Sequence, residues 1–195
     1  MLTVEKGGIH WRLSPLFPAL LVMMLCFESM AFMGRCVAAA FWHESGHLLC
    51  MILFRKMPQS ITIGMFGMRM EQDRRHLLSY RQNIVVSLAG PLLNGVGILL
   101  AKYFGAAELM VIHTVLMVFN MLPLSMLDGG QILYSVLALH ASAEKASKIM
   151  RYISIGCLVI LYFCGFIVLL VSEYNLTLLL TAVYLTAWMF FSRND

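Results

Sequence analysis

Two histidines four residues apart with a glutamate between them, His43-Glu44-Ser45-Gly46-His47, are the residues of this chain whose types and spacing point most directly to chemistry. On a helix, positions four apart lie one turn apart on a shared face, so both imidazoles can grip one Zn²⁺ while Glu44 reaches water beside it and takes a proton. The plain alternative is a pair of core histidines hydrogen-bonded to a buried Glu. A catalytic zinc takes three protein ligands and keeps one position open. The extended motif that supplies the third ligand from the same helix would place Gly at 50 and His at 53, where this chain has Cys50 and Leu53. The third ligand must come from elsewhere. Asp128 is the candidate, because apart from Glu28 it is the only other acidic residue deep in an apolar run, within Asn120-Met121-Leu122-Pro123-Leu124-Ser125-Met126-Leu127-Asp128-Gly129-Gly130.

The elements that must position these residues are membrane spans. Of the 195 residues 61% are hydrophobic and 12% charged, against roughly 45–50% and 25% in soluble proteins. That much apolar surface cannot be hidden in a soluble fold of this size, which excludes a water-soluble enzyme, a disordered chain and a nucleic-acid binder. The expected fold class is an all-α polytopic membrane protein with six transmembrane helices, near 13–33, 35–54, 83–104, 106–140, 151–172 and 175–191. The fourth is too long for one helix, and Pro123 and Gly129-Gly130 interrupt it, predicting a broken helix with extended backbone satisfied by protein or a water-filled cavity. Measured from the cytosolic ends of these spans, the histidines lie roughly 10–17 Å deep and Asp128 about 18 Å, which are compatible depths.

With a cytosolic N-terminus, only Arg35 and Lys102 of the 14 basic residues fall on the outer side, so both termini and the 55–82 loop are expected in the cytosol. That loop begins with two β-prone runs around Phe66-Gly67 and predicts a small hairpin. The five cysteines form no CxxC pair and lie in apolar runs, where they read as small buried hydrophobes. A single domain over 1–195 with no removed leader is the expected organisation.

His43 to His47 in one span, Ala89-Gly90-Pro91-Leu92-Leu93-Asn94 in the next and Asn120 to Gly130 in the one after resemble the site-2 protease family of intramembrane zinc metalloproteases. The similarity covers about half the chain, and the compact form with no PDZ domain is closest to the family's sporulation type, including the entry Gly8-Ile9-His10, while Met126 in place of the usual Pro and the lack of a CBS domain depart from it. The resemblance implies one Zn²⁺ held by His43, His47 and Asp128, Glu44 as general base, and Asn120 near the scissile carbonyl. It also implies a hairpin near the zinc; an exposed strand there could hold an extended substrate by strand addition, making Ile63, Phe66, Met68 and Met70, with Asn94 in the third span, substrate-binding candidates.

The bare residues leave other readings open. Asn94 is as suited to bonding across a helix interface as to touching substrate, and His113 and Glu28 read first as polar groups paired within the bundle. A divalent-metal transporter could use the same ligands for transit, but it needs no glutamate that contacts water rather than metal. A membrane protease of another lineage, with a Glu as third ligand, would leave Asp128 dispensable. The expected partner is a membrane-associated protein, either a membrane-tethered regulator such as a pro-sigma or anti-sigma factor or a remnant signal peptide, cleaved in a bacterial cytoplasmic membrane with no nucleic acid involved.

Overall fold

The computed structural model describes residues 2–6, 9–13, 29–56, 60–64, 67–71, 77–172 and 176–191. In chain order these form strands β1 (Leu2–Lys6) and β2 (Ile9–Leu13), helix α1 (Met30–Leu53), strands β3 (Ser60–Gly64) and β4 (Gly67–Glu71), then helices α2 (Tyr80–Tyr103), α3 (Ala107–Asn120), α4 (Asp128–His140), α5 (Ala143–Val171) and α6 (Thr177–Phe191). The chain divides into two compact units, Met1–Phe119 and Asn120–Asp195.

Serine caps set the starts of the three longest helices. Ser29 Oγ accepts from Phe32 N–H at 3.2 Å at the head of α1, and Ser142 Oγ from Lys145 N–H at 3.4 Å at the head of α5. At α2 Ser79 and Gln82 bond reciprocally, hydroxyl to backbone at 3.3 Å and side-chain amide to backbone at 3.0 Å, a capping box that leaves few orphan donors in the first turn. Behind these caps run apolar stretches with outward-facing side chains: Leu99, Val159, Ile160 and Phe163 are 63–68% exposed. Such faces suit lipid and not water.

In the first unit α1 and α2 pack against each other so closely that their backbones touch. A Cβ on Gly46 would lie 2.6 Å from the Ala89 carbonyl oxygen, so only glycine fits that crossing. Arg35 of α1 pairs with Glu108 of α3 at 2.8 Å across a partly exposed end. The four strands form one sheet in the order β1-β2-β3-β4, antiparallel except for the parallel β2–β3 pair. β4 reaches α1, so the sheet's last strand lies against the helix that carries the two histidines.

The second unit packs α4 and α6 on α5. Residues 121–127 begin it as non-helical backbone, several of whose polar groups bond within the protein. Ser125 N–H donates to Ser154 Oγ at 3.1 Å, and the Gln131 side chain donates to the Ser125 carbonyl at 2.7 Å. Leu124, only 1% exposed, anchors the segment.

Several sequence expectations change here. Among the described residues three helices, α1, α2 and α5, are long and apolar enough to cross a membrane, and Ala107–Asn120 and Thr177–Ala187 are shorter apolar helices. The all-α class must admit a four-stranded sheet of which β1 and β2 were not anticipated. Their signal, alternating apolar residues on either side of Gly7-Gly8, is weak beside the apolar run that follows. Leu13 therefore closes a strand where a span was expected to open, while most of that span, 14–28 with Glu28, lies outside the described residues. The break in the fourth span spans 121–127 alone, and Gly129-Gly130 sit in the first turn of α4. They are glycines for room: side chains there would strike the Met121 and Leu124 carbonyls. α5 begins eight residues before the expected 151, because the Ser142 cap lies in the polar stretch ahead of the apolar run.

Candidate metal centre

Both histidines of the motif are buried on one face of α1, 5% and 8% exposed, and their rings meet edge to face with centroids 4.9 Å apart. Their Nε2 atoms stand 3.2 Å from each other. Two imidazole nitrogens bound at about 2.0–2.1 Å to one tetrahedral Zn²⁺ are separated by about 3.3 Å, so the pair fits a shared metal. The outer nitrogens are held from α2. His47 Nδ1 lies 2.8 Å from the Val86 carbonyl oxygen, which can only accept, so the proton of His47 sits on Nδ1 and its Nε2 carries a lone pair. His43 Nδ1 lies 2.9 Å from the side-chain amide of Asn94. This pattern, one ring nitrogen inward and the other tied to a fixed partner, is how proteins orient metal-binding histidines.

Pro91 and Gly90 explain why α2 can approach so near. Pro91 lies inside α2 and has no N–H to donate. A Cβ on Gly90 would fall against His47 Nε2, 2.6 Å from His47 Cε1 and 2.7 Å from His43 Cε1. Trp42 fastens the same crossing from the neighbouring face of α1, donating its indole N–H to the Leu93 carbonyl at 2.7 Å.

The other sequence candidates are placed as follows. Glu44, in the turn between the two histidines, is partly buried. Asn94 is fully buried, and its amide also meets His113 Nδ1 at 3.1 Å, so the histidine that sequence alone left as a general polar group lies next to the site. No spacing in the sequence links positions 43, 94 and 113; only the helix crossing does. In the second unit Asp128 is the first residue of α4, partly buried, where the helix dipole favours a carboxylate. Asn120 is the last residue of α3. In the hairpin Ile63 faces Met68 and Ile61 faces Met70 across the β3–β4 register, while Phe66 lies outside the described residues.

A family model described as Peptidase family M50 matches residues 100–161, a stretch that includes Asn120 and Asp128. Among solved structures, the site-2 protease from Methanocaldococcus jannaschii matches with a TM-score of 0.70 and 20% identity, over 94% of this chain and 91% of that one. Over residues 100–161, about a third of the chain, the sequence is thus similar to Peptidase family M50, and the whole chain shares the fold of that site-2 protease. The comparison with curated proteins gives no match. The structural likeness, at that identity, establishes the fold.

For a metal held between the two histidines the contact at Gly90 has a direct consequence. Gly90→Ala gains helix propensity of up to about 1 kcal/mol yet drives a methyl group into the space where the two rings converge. We expect zinc affinity to fall roughly tenfold with the helix content of circular dichroism unchanged. Gly95→Ala, on the same helix with nothing within 4 Å of its added methyl, is the control and should bind zinc as the parent does.

Proposed function

We propose that this chain is an intramembrane zinc endopeptidase that hydrolyses a peptide bond in or near a transmembrane segment of a membrane-associated protein. The observation that carries the reading is the converging pair of Nε2 atoms, 3.2 Å apart on a helix long and apolar enough to cross a membrane. We assign His43 and His47, together with Asp128 of the second unit, as the ligands of one Zn²⁺. When bound, zinc supplies Lewis acidity, polarising the scissile carbonyl and lowering the pKa of a water toward about 7. Glu44 then accepts the proton of the attacking water and returns it to the leaving amine, acting as base and then as acid. The Asn120 amide donates to the carbonyl oxygen as negative charge develops there.

A helical substrate shields its own peptide bonds, so it must be presented extended. β4 pairs with β3 alone among the described strands, which supports a role for its other edge in holding the substrate by strand addition, with Ile63, Phe66, Met68 and Met70 beside the bound segment. The six-span arrangement, with both termini and the 55–82 loop in the cytosol of a bacterial membrane, belongs to the same reading, as do a membrane-tethered regulator as substrate and a place in sporulation.

The test uses purified chain in detergent with a panel of single-span membrane proteins. At least one should be cut within or beside its span, cleavage should stop when a chelator strips the metal, and zinc should restore it. A chain that cuts none of them, yet passes zinc across vesicle membranes, would replace the protease with a transporter.

A further inference from the structure

We propose that His113 is a positioning residue for the metal pair, acting through Asn94 to keep His43 in the tautomer whose Nε2 lone pair is free. The inference rests on the zinc reading above and adds to it a residue that neither touches the metal nor belongs to the motif.

Three buried side chains from three helices form one line. In the structure the Asn94 amide nitrogen lies 2.9 Å from His43 Nδ1 and its oxygen 3.1 Å from His113 Nδ1, and a half-turn of the amide exchanges the two. Asn94 has no exposed surface, and His43 and His113 are 5% and 8% exposed, so the line is closed to bulk water as a competing partner. A primary amide donates at one end and accepts at the other, which makes it a carrier of direction. If His43 is to offer Nε2 to a metal, its proton must sit on Nδ1, and that N–H requires the amide oxygen as acceptor. The amide NH₂ group then points at His113, whose Nδ1 must accept and whose proton must sit on Nε2. Oxygen and nitrogen of an amide exchange places by a half-turn, and the ligand role of His43 selects between the two orientations. A donor at position 113 would claim the oxygen, turn the NH₂ group toward His43 and drive that ring's proton onto Nε2, where it blocks the lone pair.

A second observation shows that the ring at 113 is held in place. Gly97, one turn beyond Asn94 on α2, leaves space that the ring fills: a Cβ at 97 would lie 2.8 Å from three atoms of the His113 imidazole. The ring is confined between α2 and its own helix, so the direction it imposes on Asn94 is fixed by packing.

The experiment measures zinc affinity of the full chain in detergent by competition with a chelator, with thermal unfolding recorded beside it. His113→Phe fills the ring's volume and offers no acceptor, and should lower affinity roughly tenfold. His113→Gln restores an acceptor oxygen and should recover affinity to within about threefold of the parent. Gly97→Ala leaves His113 in the sequence but displaces its ring, and should resemble His113→Phe. Should the phenylalanine variant fail to fold, Gly97→Ala against Gly95→Ala decides the question, since only the former meets the ring. Equal affinity in the phenylalanine, glutamine and parent chains would overturn the proposal, as would a loss of thermal stability shared by phenylalanine and glutamine with no difference in zinc binding. If the parent itself takes up no zinc, or holds it no better than His47→Ala, the metal reading fails and this inference falls with it.

Discussion

Glu44→Gln is expected to keep about one zinc per chain and to lose nearly all cleavage. The substitution preserves the size of the side chain and its place between His43 and His47, but an amide cannot accept a proton and return it to the leaving amine. Loss of a positioned general base costs on the order of 10²–10⁴ in rate. A ligand-free role for Glu44 makes zinc content the deciding companion measurement: cleavage falls while metal stays. Cleavage near the parent rate would end the protease reading. A transporter using the same histidines would carry metal with glutamine at 44 about as well as with glutamate, so the two functions separate on one variant.

Asp128→Ala is expected to lower zinc affinity on the order of 10²-fold or more, because apparent zinc binding energies of about 10–16 kcal/mol are shared among a few ligands. Asp128 opens α4, so its removal also weakens a helix start by about 0.3–1 kcal/mol. Asp128→Asn keeps a polar side chain there while removing the anionic oxygen, and should lose affinity to nearly the same extent with less effect on unfolding. Zinc retained at the parent level in both variants would mean that a different residue supplies the third ligand, as a protease of another lineage would require.

What the sequence makes legible follows from where the information lies. The His43–His47 face is local, since four residues on a helix settle it, and the break near Pro123 is local too, because an apolar run beyond single-helix length with a proline inside cannot continue unbroken. The Ser142 cap was readable but lay outside the apolar run, so a hydropathy reading began that helix late. The strands at 2–6 and 9–13 carry a period-two pattern only five residues long each, too short to compete with the neighbouring apolar run. The place of His113 was beyond reach. Its link to His43 depends on α2 and α3 approaching at Gly97, and a glycine in an apolar helix announces a close approach without naming what approaches.

The backbone contact at Gly46 also bears on how the protein meets a bilayer of changing thickness. A helix longer or shorter than the hydrocarbon around it ordinarily adjusts by tilting on its own. α1 and α2 meet without side chains between them at Gly46 and Ala89, and the indole of Trp42 ties them again at Leu93. Each holds part of the other's position, so the two tilt as one rigid pair. Thinning or thickening of the lipid then changes the depth of His43 and His47 together but leaves their spacing, and the partners at Val86 and Asn94, as they were.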